Sequence, residues 1–130
     1  MVQYEVAKRI VAKPGTKAYS PLTLLVQYFS EPKILFKVPA NAFYPKPKVD
    51  SAFVGFNLRE HLSKVKNPTL LKNLIRIAFQ QRRKKIINSL NKLIEDKNLI
   101  VKTLNKLNLD HNLRAENLSF EDYLSIADNI

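Results

Sequence analysis

Two clusters of side chains stand out for the chemistry they could do. In residues 42–52 (AFYPKPKVDSA), the aromatics Phe43 and Tyr44 are followed by prolines at alternate positions, Pro45 and Pro47, interleaved with Lys46 and Lys48. Each proline fixes its own φ and biases the residue before it toward extended backbone. The stretch therefore reads as a stiff, extended loop that could hold something flat against a ring, with cations close by. The competing reading is that Phe43 and Tyr44 cap a core. The second cluster is Arg82-Arg83-Lys84-Lys85. If a helix starts there, these cations occupy its first turn and oppose the macrodipole by about 0.3–1 kcal/mol per charge. Folding alone gives no reason to accept that cost, whereas a phosphate backbone does, because each neutralised phosphate releases counterions. Arg76, Gln80 and Arg83 share a face if the helix runs on unbroken, and the arginine fork suits phosphate oxygens. The competing reading is a solvated face that keeps the chain soluble. Nothing in the run specifies bases, so the expected contact is with a nucleic-acid backbone read by charge and shape.

Composition narrows the partner further. The net charge is +11 with a pI near 10.0, which favours an anionic partner. The charge is local: residues 61–94 hold nine basic residues and no acid, while residues 95–130 hold seven acids against four bases. The absence of cysteine removes disulfides and thiolate metal sites, and fits a reducing compartment such as the cytoplasm. His61 and His111 lack ligand spacing and read as solvated loop residues. No apolar run is long enough to span a bilayer, and the first residues do not resemble a secretory signal. Nucleophilic catalysis finds no cysteine, and no histidine in a readable pattern with a serine and an acid.

The elements that must position these clusters follow from periodicity. Val2, Val6 and Ile10 predict a helix over residues 2–12, ended by Pro14-Gly15. Pro21 suits a first helical position, and the run that follows to Phe29 is apolar nearly all round, which predicts burial on most sides. Residues 33–39 alternate around Ile34, Phe36 and Val38 and read as a strand. Residues 49–58 are clean on neither face and read as a strand covered on both. The two could pair antiparallel across the Phe43 loop. A helix and two strands do not complete an α/β sheet, so the first unit reads as a fragment. Residues 59–68 form a polar linker, and Thr69 is a candidate cap for the next helix. Apolar stripes through Leu70–Leu71–Leu74–Ile75–Ala78, through Ile86–Ile87–Leu90–Leu93–Ile94, and through Leu99–Ile100–Leu104–Leu107 predict three helices, with Asn108 a C-terminal stop. Ser119 and Asp122 resemble a capping box ahead of a fourth helix carrying Phe120, Tyr123, Leu124 and Ala127 inward.

These blocks also carry a resemblance. Phe43-x-Pro45-x-Pro47-x-Val49-x-Ser51 resembles the post-catalytic loop of the rRNA adenine N6,N6-dimethyltransferases of the KsgA type. Residues 1–6 (MVQYEV), 13–19 (KPGTKAY), 79–85 (FQQRRKK) with Asn88-Ser89-Leu90, and 114–119 (RAENLS) are similar to further family motifs in the same order. The likeness runs over essentially the whole chain. Two features depart from the family. The glycine-rich loop and the Asn-(Leu/Ile)-Pro-Tyr motif of its cofactor half are missing, since Gly15 and Gly55 are the only glycines. Ser20-Pro21-Leu22 has proline where relatives carry another residue.

The resemblance implies the C-terminal half of a cytoplasmic, S-adenosylmethionine-dependent enzyme that dimethylates adenine N6 in small-subunit rRNA. The implied fold is an α/β remnant, the C-terminal end of a Rossmann-like methyltransferase sheet over residues 1–60, followed by a small all-α rRNA-binding domain over residues 66–130. Phe43 would stack on the target adenine as the catalytic contribution of this chain. Lys46, Lys48, Arg76, Arg82, Arg83, Lys84 and Lys85 would bind RNA. S-adenosylmethionine would be held by the half that is not in this chain, and no metal or membrane is implied. The expected oligomeric state is a monomer. Two rivals remain: a non-catalytic rRNA-binding or ribosome-assembly module, and a helix-turn-helix DNA binder on residues 69–107, which leaves the proline loop and the strands without a purpose.

Overall fold

The structure, a computed structural model, describes residues 1–59 and 65–130; His61 and Lys64 lie outside the described residues. The chain divides into two units, Met1–Lys13 with Ala18–Glu60, and Pro14–Lys17 with His61–Ile130. The expected boundaries of 1–60 and 66–130 put residues 14–17 in the first unit. They group with the second because their backbone is hydrogen-bonded there. Gly15 N–H donates to the Glu116 carbonyl at 2.6 Å, and the Arg82 guanidinium donates to the Thr16 and Lys17 carbonyls at 3.2 and 3.1 Å.

The first unit runs β1 (Val2–Gln3), α1 (Tyr4–Ile10), α2 (Pro21–Phe29), β2 (Ser30–Val38) and β3 (Ser51–Leu58). The strands form an antiparallel sheet in the order β1-β3-β2. The helix predicted over residues 2–12 thus starts later, at Tyr4. Val2 and Gln3 pair instead with Ala52 and Ser51, a contact with a distant segment that local periodicity cannot show. Strand β2 also starts earlier than predicted and runs through Pro32, which an edge strand tolerates because no ladder partner needs its N–H. The register shifts between Ile34 and Phe36, so Leu35 is an extra residue on β2. A side chain at Gly55 would meet the Leu35 methyl at 3.3 Å, which explains a glycine in the middle of β3.

Helix α2 opens on Pro21 as predicted, with Ser20 N–H donating to Thr23 Oγ1 at 3.1 Å. The Thr23 hydroxyl donates in turn to the Arg9 carbonyl and ties α2 to α1. Two burial expectations are corrected. Leu22, Leu25 and Phe29 of α2 are exposed, and so are Phe53, Phe56 and Leu58 of β3, with Leu35 and Phe36 of β2 beside them. Apolar composition reports what a face can pack on, and here the described residues cover only the side holding Ala7, Ile10, Leu24 and Ala52.

The second unit contains α3 (Pro68–Gln80), α4 (Ile86–Leu93), α5 (Lys97–Lys106) and α6 (Phe120–Asn129), with a 3-10 turn at Ala115–Asn117. The predicted stripes supply most of its core: Leu71, Leu74, Ala78, Ile86, Leu90, Ile100, Leu104, Phe120, Tyr123 and Ala127 are buried, and Ile126, outside the predicted set, joins them in place of Leu124. Helix α3 is capped by Asn67, not Thr69. Asn67 Oδ1 accepts from Leu70 N–H at 3.0 Å, and Pro68 takes the first helical position, where its missing N–H costs nothing. Asn108 ends α5 at φ 56, in the left-handed region that the predicted stop requires. Ser119 and Asp122 form the reciprocal capping box, at 3.1 and 3.0 Å. Buried Tyr123 donates its hydroxyl to the Ala115 carbonyl at 2.6 Å, joining α6 to the 3-10 turn. Tyr123→Phe should leave that carbonyl without its partner and cost about 1–2 kcal/mol. At about 4–8 °C per kcal/mol for a unit of this size, thermal denaturation should show a clearly lowered Tm.

Candidate nucleic-acid interface

Strands β2 and β3 bring Val38 opposite Ser51, so residues 39–50 must leave the sheet and return to the same place. A 3-10 turn at Ala40–Ala42 starts the excursion, with Ala42 N–H bonded to the Pro39 carbonyl at 3.0 Å and Phe43 N–H to the Ala40 carbonyl at 3.2 Å. Bends follow, and the Tyr44–Pro45 peptide is cis. The uniformly extended loop expected from the alternating prolines is therefore corrected to a turn followed by bends. Strand pairing sets the closure, and proline stiffness acts only within it. Phe43 is half-buried, Tyr44 is 101% exposed, and Lys46 and Lys48 are exposed. A loop with one seated ring, one free ring and two free cations can offer a flat apolar surface to a base and positive charge to a phosphate.

One residue that sequence reasoning missed closes this loop. Asp50 Oδ1 accepts from Ala40 N–H at 2.8 Å, while Oδ2 pairs with Lys37 Nζ at 3.3 Å. The Asp50 carbonyl accepts from Tyr4 N–H at 2.9 Å, and Lys37 Nζ lies 4.5 Å from the Tyr4 ring centroid. The Ala40 N–H bond, followed by the Lys37 contact, holds the Asp50 carboxyl below the ordinary carboxylate value of 3.8. The signal was present in the sequence: Asp50 is a lone acid among Lys33, Lys37, Lys46 and Lys48.

In the second unit, α3 ends at Gln80, residues 81–84 form a turn, and Lys85 is the N-cap of α4. The cations are therefore not on the first turn of a helix, and Arg76, Gln80 and Arg83 do not share one helical face. The turn places them ahead of α4, where Ile86 N–H bonds to the Leu113 carbonyl at 2.6 Å and the Lys85 backbone forms an isolated antiparallel β-bridge with that of Arg114. The expected cations then separate by use. Arg82 points inward: its guanidinium binds Glu116 Oε2 at 3.1 and 3.4 Å as well as the two loop carbonyls, and lies 5.8 Å from the Phe79 ring centroid. Arg76, Arg83, Lys84 and Lys85 are exposed, and among the described residues they make no ion pair. Exposed cations beside one tied-down arginine can meet a phosphate backbone without first breaking a bond inside the protein.

Comparison with known proteins bears on what these surfaces serve. The whole chain, residues 1–130, matches the ribosomal RNA adenine dimethylase family. The chain belongs to that family. A relative named ribosomal RNA small subunit methyltransferase A, from Crocosphaera subtropica, is 39% identical over 128 residues, covering 98% of this chain and 47% of that protein. A relative of the same name from Clostridium botulinum is 42% identical over 131 residues, covering 100% of this chain and 48% of that protein. The crystal structure of a dimethyladenosine transferase from Plasmodium falciparum superposes with a TM-score of 0.76 at 28% identity, over 95% of this chain and 53% of that one. The 23S rRNA methyltransferase ErmE superposes with a TM-score of 0.69 at 20% identity, a likeness of fold.

The chain spans about half the length of the curated relatives it matches. It corresponds to the C-terminal half of this family, an α/β portion followed by helices. The residues present do not fit a cofactor cradle of the expected strand–glycine turn–helix kind. Among the described residues the strands pair only antiparallel, Gly15 lies in the loop before α2 and Gly55 lies inside β3. Among the described residues there is also no cluster that could hold a metal, and no helix long and apolar enough to cross a membrane.

The division among the cations is directly testable. Arg82→Ala removes the bonds that hold residues 16, 17 and 116 together and should lower the melting temperature. Arg83→Ala removes a solvated side chain and should leave melting within about 0.5 kcal/mol of wild type. Equal melting curves for the two variants would show that the guanidinium network does not hold this unit together.

Proposed function

We propose that these 130 residues form the target-base loop and RNA-binding portion of an S-adenosylmethionine-dependent enzyme that dimethylates adenine N6 in small-subunit rRNA in the cytoplasm. The observation that carries this reading is the Phe43–Ser51 motif standing on a loop closed by Asp50, in a chain that matches the family from end to end. An amino group inside a base-paired stack is out of reach, so such chemistry needs the base turned out and held flat. Phe43 supplies the flat surface, and the loop around it is already ordered, so little freedom is lost when a base stacks. Lys46 and Lys48 on the same loop, with Arg76, Arg83, Lys84 and Lys85 in the helical unit, neutralise phosphates. Arg82 contributes indirectly, by fixing residues 14–17 beside Glu116.

S-adenosylmethionine is assigned to residues beyond these 130, because the described residues offer no strand–glycine turn–helix cradle for it. The exposed apolar side chains of α2, β2 and β3 support the same view, since they form the surface on which the remainder of such an enzyme would pack. By itself the chain acts as an RNA-binding module, which is where the non-catalytic reading keeps its force. The helix-turn-helix DNA reading gains nothing from family membership and leaves residues 30–58 without a role.

Three measurements test the proposal. Calorimetry of the chain with S-adenosylmethionine should show no binding, and micromolar affinity would refute the assignment of the cofactor elsewhere. Replacing Arg83, Lys84 and Lys85 by alanine should reduce the slope of log K against log salt for RNA by about one per lost phosphate contact. An unchanged slope rejects the turn as an RNA contact. In an enzyme containing these residues and a cofactor half, Phe43→Ala should cut methylation by roughly ten- to a hundredfold, from a stack worth about 1–3 kcal/mol at tenfold per 1.36 kcal/mol. Phe43→Trp should retain much of the activity. If Phe43 serves core packing instead, alanine lowers the melting temperature, at a cost of about 3–5 kcal/mol.

A further inference from the structure

We propose that Asp50 is the positioning residue of the Phe43 loop: its carboxylate ties the exit of the loop to its entry and so fixes where the Phe43 ring is presented. The inference rests on the stacking reading above for its purpose and on geometry for its mechanism. The 3-10 turn at Ala40–Ala42 begins with an N–H that has no partner inside the turn. Asp50 Oδ1 takes that N–H at 2.8 Å from across the loop. Phe43 hangs from the same residue, because its N–H bonds to the Ala40 carbonyl at 3.2 Å. Any movement of Ala40 is therefore transmitted to Phe43 through one hydrogen bond. The second carboxylate oxygen is held by Lys37 Nζ at 3.3 Å, and the Asp50 backbone by Tyr4 N–H at 2.9 Å. Strand β2, the start of α1 and the start of β3 thus converge on one residue.

The two contacts of the carboxylate are unequal. Lys37 and Asp50 are 50% and 39% exposed, and an ion pair so open to water contributes little. The bond from Ala40 N–H to a charged oxygen is the stronger one, and its loss leaves the first donor of the turn unmet. Asparagine keeps an oxygen at Oδ1 but loses the ion pair and the charge on the acceptor. Alanine loses both contacts. The groups that set the ionisation are the Ala40 N–H, Lys37 on β2 and Lys46 within the loop, all of which favour the charged form. With the folded-state pKa depressed, the charge-assisted part of the tie is fully present above the ordinary carboxylate value and is lost as pH falls through the lower, folded-state value.

The test uses the 130-residue chain, amide exchange by NMR, and a short single-stranded RNA carrying 2-aminopurine as a stacking probe. Asp50→Ala should speed exchange at Ala40 and Phe43 about tenfold. It should also lose the 2-aminopurine quench to the same degree as Phe43→Ala, with RNA affinity held by the remaining cations. Asp50→Asn should keep both the protection and the quench, and the wild-type Ala40 amide shift should titrate with a midpoint below 3.8. Unchanged exchange at Ala40 and Phe43 in Asp50→Ala overturns the proposal. So does a quench kept in Asp50→Ala but lost in Phe43→Ala. If Phe43→Ala itself leaves the quench intact, the stacking reading fails, and the exchange rates alone decide whether Asp50 positions the loop. If Asp50→Ala does not fold, Asp50→Asn decides: protection kept at Ala40 supports the tie, and protection lost overturns it.

Discussion

The antiparallel pairing of Ser30–Val38 with Ser51–Leu58 governs the first unit, because it brings Val38 and Ser51 together and obliges everything between them to close. Ladder hydrogen bonds fix register strictly: a slip of one residue would turn every side chain to the opposite face. Once the register is set, the loop must begin and end within one strand spacing. Proline, the 3-10 turn and Asp50 then decide only which of the closed shapes it takes. The Phe43 ring is thus placed by the sheet and by one carboxylate. The bulge at Leu35 belongs to the same constraint, since the small Gly55 opposite leaves room for the displaced side chain.

Charge is arranged differently in the second unit. A cluster of adjacent cations repels itself, and the structure relieves part of that by turning one of them inward. Arg82 meets Glu116 and two carbonyls, all of which accept, so a potentially repulsive side chain becomes a cross-brace. Arg83, Lys84 and Lys85 stay in water, where screening makes their mutual repulsion cheap. They follow the C-terminal end of α3, which favours cations, while Lys85 at the N-cap of α4 stands at that helix's unfavourable end. Both arrangements leave a basic surface standing on a well-packed helical core, which suits recognition of an anionic backbone more than of base edges.

The exposed apolar side chains of α2 and β3 make a complementary point. Leu25, Phe29, Phe53 and Phe56 form exposed apolar surface of the kind that packs on a further partner surface. Their exposure also explains why composition misled about burial: an all-round apolar helix states a requirement for partners and carries no information about whether they are present.

The sequence by itself determined the helices of the second unit, the antiparallel strand pair, the stop at Asn108 and the box at Ser119, because each depends on periodicity or on a side chain acting within a few residues of itself. It also carried the family, through ordered motifs. Tertiary structure alone decided the matters that depend on distant partners. Val2 and Gln3 became a strand because Ser51 and Ala52 were available to pair with. Arg82 left the basic surface because Glu116 and residues 16–17 were brought within reach of its fork. Asp50 became the tie of the Phe43 loop because folding set it beside Ala40 and Lys37. A hydrogen bond or ion pair is decided by distance in space, and a linear sequence states only distance along the chain.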